Sequence, residues 1–122
     1  MEGFQSTVPP DFAVLGGLRR SLTAWLEKAG VADPPCGDVV LATHEAAANA
    51  IEHAGSAGPV DVGARLVGRT LTIEITDSGR WKVANPADEE RGRGLILIAG
   101  LVSEMKLQAD TSGTTLRLVV HA

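Results

Sequence analysis

Apolar residues recur along the chain with two different periods, and the switches between those periods mark out the elements. Leu15, Leu18, Leu22, Trp25, Leu26 and Ala29 return every three or four positions, the spacing that keeps side chains on one stripe of a helix. Gly30 follows, where a helix commonly ends in a left-handed residue, while Arg19, Arg20, Thr23 and Glu27 take the outer face. Gly16 and Gly17 weaken the start of this helix. A second helix is predicted from Asp38, read as an N-cap after Pro34 and Pro35, to Ala54 just before Gly55. At a turn of about 100° per residue, Val39, Val40, Ala46, Ala47, Ala50, Ile51 and Ala54 share one broad arc, the expected buried side. Glu45, Asn49 and His53 follow at i, i+4 and i+8, so they form a polar row spread over about 80°, expected on the other side.

Elsewhere the period is two. A short strand is expected at Phe4 to Val8. Val60, Val62, Ala64 and Leu66 alternate with other residues, Gly68 and Arg69 interrupt, and Leu71, Ile73 and Ile75 alternate again, which predicts a β-hairpin with one apolar face. Its second strand stops at Asp77, Ser78 and Gly79, and the polar stretch from Lys82 to Arg91, with Asn85 and Pro86, reads as an irregular loop. Gly92 to Glu104 is apolar nearly all round; periodicity does not separate buried helix from buried strand there, and helix is the choice made. Met105 to Ala109 and Thr114 to Val120 close the chain as a second hairpin around Asp110 to Gly113. Three helices on one face of a mainly antiparallel sheet make a two-layer α/β sandwich, read as a single domain over residues 1–122.

Composition narrows the function classes. Leu, Ile, Val and Phe supply 32 of 122 residues, enough for one packed core. Eleven basic against fifteen acidic residues leave a net charge of −4, so no overall basic field exists to hold a nucleic-acid backbone. The longest apolar run, Leu95 to Val102, is far short of the roughly 18 residues of a membrane span. A cytoplasmic protein binding neither nucleic acid nor membrane is expected, and the lone Cys36 excludes an internal disulfide.

Common motifs fail in turn. His44 and Glu45 begin a zinc-protease pattern, but its second histidine would fall at Ala48. Leu97 stands where a dinucleotide-binding GxGxxG needs its last glycine, and no GxxxxGK[ST] loop occurs. Four other places remain. Glu45 and Asn49 offer a carboxylate and an amide oxygen one turn apart, suited to taking a proton and holding a hard cation such as Mg²⁺. Asp77 and Gly79, at the end of an apolar strand, offer an acceptor for an exocyclic amine and room for a planar ring. Gly92 and Gly94 precede an apolar helix, where bare N–H groups and the positive dipole end suit a phosphate. Gly113, Thr114 and Thr115 supply donors at the start of the last strand. Each alone has an ordinary explanation: a solvated helix face, a turn, a loop end, a hairpin. Their joint occurrence is what favours a nucleotide.

Together these segments resemble the GHKL ATPase superfamily, which includes histidine kinases and gyrase-type ATPases. EAAANAIEH, with Glu45, Asn49, Ala50 and His53, is similar to its N-box; DSG at Asp77 to Gly79, GRGL at Gly92 to Leu95 and GTT at Gly113 to Thr115 resemble its three glycine boxes in order. The short frame and N-terminal helix look most like the anti-sigma-factor serine kinases of bacteria. That resemblance implies the two-layer fold, ATP and Mg²⁺ as cofactors, and a sigma factor and a small antagonist protein as partners, the latter phosphorylated on serine. Relatives also suggest a homodimer. It implies Glu45 as general base, Asn49 as magnesium ligand, His53 as a bracket near the phosphates, Asp77 as acceptor for the adenine amine and Gly79 as part of its pocket. Gly92, Gly94 and Leu95 of GRGL, with Thr114 or Thr115, would surround the phosphates. One departure stands out: Trp81 replaces the second glycine of the DxGxG pattern. A nucleotide-binding regulatory module without phosphotransfer is the alternative reading.

Overall fold

The computed structural model describes residues 3–54, 58–78, 89–110 and 113–122. Five antiparallel strands form one sheet: β1 (Phe4–Val8), β2 (Val60–Val67), β3 (Thr70–Asp77), β4 (Glu104–Asp110) and β5 (Gly113–His121), in the spatial order β1-β2-β3-β5-β4. Helices α1 (Leu15–Lys28), α2 (Pro35–Ala54) and α3 (Glu89–Leu101) cover one face, so the expected two-layer sandwich is the architecture found. No helix among the described residues is long and apolar enough to cross a membrane.

Alternation determines which side of each strand is buried. On β3, Leu71, Ile73 and Ile75 are inaccessible to solvent; Ile73 lies opposite Ala64 on β2 and Leu118 on β5, and Ile75 opposite Val62 and Leu116. Thr70, Thr72, Glu74 and Thr76 point the other way, where Glu74 pairs with Arg117 at 3.2 Å across the outer face. Leu18, Leu22 and Leu26 of α1 and Val39, Ala42, Ala46 and Ala50 of α2 complete the core from the helix layer. Alanine at these α2 positions lets the helix axis lie close to the sheet. Phe4 of β1 meets Trp25 of α1 with ring centroids 6.1 Å apart, closing the β1 edge.

The element boundaries carry three corrections. α2 begins at Pro35 rather than Asp38. Proline has no N–H to lose at a first helical position, the Asp33 carboxylate accepts from the Gly37 N–H at 2.9 Å, and Asp38 falls in the first turn, where its charge suits the dipole. α3 spans Glu89–Leu101 instead of Gly92–Glu104, so its start takes in the end of the expected loop, and Glu104 opens β4. A 3-10 turn at Phe12–Val14, capped by Asp11 accepting from Ala13 N–H at 2.9 Å, precedes α1 and had no clear periodic signal. Gly30 has φ +85°, the left-handed conformation expected after α1.

Candidate functional site

Asn49 sits where α2 turns from solvent toward the sheet. It lies three residues after Ala46 and seven after Ala42, both fully buried, and is itself only 8% exposed, while Glu45 one turn earlier is half-buried. The row is therefore not on the side away from the core, as its polarity suggested; it flanks the buried arc. Burial costs an amide its water partners, and Nδ2 of Asn49 has no hydrogen-bond partner among the described residues. The only other such side-chain atom among the described residues is Oγ1 of Thr43, on the opposite flank of α2. His53 follows Asn49 by one turn near the end of α2.

The direction of this flank follows from its neighbours. Arg19 of α1 meets Nδ1 of His44 at 2.9 Å, which identifies the α1 side of α2. Glu45 and Asn49 lie about 100° and 140° around the helix from His44, away from α1 and toward the side on which α3 packs. Along the axis, five residues separate Ala54 from Val60, a reach of at most about 20 Å. The start of β2 lies beside the end of β3, with Asp61 opposite Thr76, so the Asn49 end of α2 and Asp77 share one end of the sheet.

Asp77 and Thr114 are a directly opposed pair on β3 and β5, in phase with Ile75 and Leu116, and face the helix layer with 3% and 1% exposure. Thr115 is one residue out of phase: its Oγ1 meets Oγ1 of Thr76 at 3.2 Å on the outer face of the sheet. The structure thus brings the Thr114 hydroxyl, and not that of Thr115, to the side where Asp77 and Asn49 lie. The β3–β5 approach at this end is close. Gly113 has φ +145°, and a Cβ there would stand 2.1 Å from the Asp77 carbonyl oxygen.

Gly92 and Gly94 lie inside α3, as its fourth and sixth residues, rather than ahead of it. The open N–H groups of a helix are those of its N-cap and first three residues, so the N–H groups of Gly92 and Gly94, the fourth and sixth residues of α3, are both taken by carbonyls four residues back, and the donors left for an anion lie ahead of them. α3 ends shortly before Glu104, which pairs with Val119 at the far end of β5 from Thr114. A 13-residue helix is about 20 Å long, enough to reach back along the sheet to the Asp77–Thr114 end. Leu95 is half-buried against the core, and Ile98 is fully buried beneath it. Gly79, Trp81 and most of the expected 82–91 loop lie outside the described residues.

These groups make a coherent set of donors and acceptors. Toward one end of the sheet lie a half-buried carboxylate, a buried amide and a buried aspartate opposed by a threonine, within the reach of α3. A hard cation needs only an oxygen or two from the protein when phosphates and water supply the rest, and turning over the Asn49 amide presents Oδ1 in place of Nδ2. The residues present fit adenine nucleotide with Mg²⁺. A separate groove of about 840 Å³ on the outer face, lined by Gln5, Asp61, Arg65, Thr72, Glu74 and Thr76, shares none of them.

Comparison with known proteins agrees with this reading of the fold. A solved structure of the RsbU and RsbW domains of Rv1364c from Mycobacterium tuberculosis superposes with a TM-score of 0.82 at 26% sequence identity, over 99% of this chain. The present chain spans about a third of that one, 32% of its length. The family model described as the histidine kinase-like ATPase domain matches residues 8–120, nearly the whole sequence. With the sheet order, the helix layer and this match in agreement, the chain belongs to the histidine kinase-like ATPase domain family.

Proposed function

We propose that the protein is an ATP- and Mg²⁺-dependent protein serine kinase that also binds a sigma factor, holds it from RNA polymerase and phosphorylates a small antagonist protein. Asn49 is the observation that carries this. A buried amide whose nitrogen meets no hydrogen-bond partner among the described residues, one turn from a half-buried carboxylate, has polar capacity left over for a ligand, and this supports the reading. The similarity to a structure containing an RsbW domain supports the regulatory setting, as does the resemblance of the four boxes to anti-sigma-factor serine kinases.

Bound ATP with Mg²⁺ supplies the phosphoryl group and the cation that offsets its charge. The chain's own residues would do the rest. Asp77 accepts from the adenine amine and so selects the base. Asn49 offers its amide oxygen to the cation, while Thr114 and the N–H groups opening α3 donate toward phosphate oxygens. Glu45 takes the proton from the attacking serine hydroxyl, helped by an only partly exposed position that limits competition from water. His53 brackets the phosphate end of the same row.

The test is phosphotransfer. With γ-labelled ATP, Mg²⁺ and candidate antagonist proteins, the wild-type protein should label a partner on serine. Glu45→Ala should lower the rate by at least a hundredfold while ATP binding persists. Undiminished transfer by Glu45→Ala would remove its role, and binding without labelling of any antagonist would favour a regulatory module that uses ATP only to set its shape. Trp81, in place of a glycine, is the sequence feature that points to that second reading.

A further inference from the structure

We propose that Gly113 is a positioning residue that sets base selectivity by fixing where Asp77 stands. This rests on the reading of Asp77 as the adenine acceptor. At the end of β3 the backbone of Gly113 lies so close that a Cβ would be 2.1 Å from the Asp77 carbonyl oxygen, 3.1 Å from its carbonyl carbon and 3.0 Å from Cα of Ser78. All three are main-chain atoms, which cannot swing aside as the tip of a side chain can. Gly113 also has φ +145°, a conformation that residues with a Cβ rarely adopt.

Asp77 has little freedom to compensate. Its side chain is 3% exposed and its strand is held on both sides, by β2 and by β5. Any side chain at position 113 must therefore part the two strand ends by roughly 1 Å, and misplacement on that scale can cost a recognition or catalytic site a hundredfold. Gly58, ahead of β2 and also beside Ser78, is a contrast at the same end of the sheet. It too has positive φ, at +136°, but a Cβ there would meet only Oγ of Ser78, at 3.1 Å, a side-chain atom and not the main chain. Substitution at Gly58 strains the local backbone without driving against Asp77.

Nucleotide choice separates positioning from plain destabilisation. Inosine triphosphate carries a carbonyl oxygen where adenine carries its amino group, so a carboxylate acceptor prefers ATP. Calorimetric titration of the full chain with ATP and with inosine triphosphate, both with Mg²⁺, should show a wild-type preference for ATP of tenfold or more, lost in Asp77→Asn. Gly113→Ala should weaken ATP at least tenfold, change inosine triphosphate less than twofold, and add little to Asp77→Asn. Gly58→Ala should keep the preference. Equal losses for both nucleotides in Gly113→Ala, or a preserved preference, overturns the proposal while leaving the role of Asp77 intact. A wild-type protein that binds neither, or binds both equally, overturns the Asp77 reading and this one with it. If Gly113→Ala does not fold, the wild-type amide spectrum decides: the Gly113 signal should shift with ATP and not with inosine triphosphate, and an equal response to both overturns the inference.

Discussion

Replacing Asn49 by leucine should make the empty protein more stable and the loaded protein no better than the empty one. Asn49 is 8% exposed and its Nδ2 is without a partner among the described residues, so the folded state carries the desolvation cost of a donor that the unfolded chain can give back to water. Such an orphan costs about 1–3 kcal/mol, and leucine removes it. The extra volume of leucine returns part of the gain as overpacking, about 1 kcal/mol at a site on the edge of the core. A net stabilisation of up to about 2 kcal/mol corresponds, for a chain of this length, to a melting temperature higher by up to roughly 8 °C. In the wild type, Mg²⁺ and ATP at a hundred times the dissociation constant should add about 2.7 kcal/mol, a rise of roughly ten degrees. Thermal unfolding followed by circular dichroism, with and without Mg²⁺·ATP, reads both effects. The variant should melt higher when empty and gain almost nothing from nucleotide. A variant that melts lower than wild type and keeps the full nucleotide shift would overturn this role, because Asn49 would then be a structural residue with a partner of its own.

The remaining expectations concern the frame around the site. Ile73→Ala, at a fully buried position between Ala64 and Leu118, should destabilise by about 2–5 kcal/mol in urea denaturation, whereas Val67→Thr, 72% exposed, should stay within about 0.5 kcal/mol. Cys36 is buried, and desolvation, followed by the carboxylates of Asp33 and Glu27, raises its thiol above the usual value of 9.0. It should alkylate with iodoacetamide at pH 8 far more slowly than a free cysteine, with a rate comparable to free cysteine contradicting the burial. The sign for stability follows: the neutral thiol is favoured in the fold, so its contribution is complete below the unfolded thiol pKa and is lost as pH rises through the higher folded value.

The sheet was legible because its faces differ. The central strands β2 and β3 were placed by alternation, and the turn at Gly68 by the glycine that adopts φ +61° there. The helix starts were less visible. Pro35 looks like punctuation but begins α2, since its missing N–H is spare in a first turn, and α3 begins at Glu89 in a polar stretch with no apolar period to announce it. At the site, Thr114 and Thr115 were left as alternatives, although the same alternation puts Thr114 in phase with Leu116, Leu118 and Val120 and Thr115 out of phase with them. Asn49 was hidden by its own polarity. Its spacing from Ala42 and Ala46 placed it at the edge of the buried arc, yet a polar residue is ordinarily assigned to the solvent side. The close approach of Gly113 to Asp77 joins residues far apart in the sequence, and only the pairing of β3 with β5 brings them together.

The most direct measurement is a calorimetric titration of the protein with ATP in the presence of Mg²⁺, repeated for Asp77→Asn and Glu45→Ala. One equivalent of ATP should bind the wild type, with Glu45→Ala binding within threefold of it and Asp77→Asn at least tenfold weaker. No binding by the wild type, or an unchanged affinity in Asp77→Asn, would contradict an adenine-nucleotide site at the end of β3.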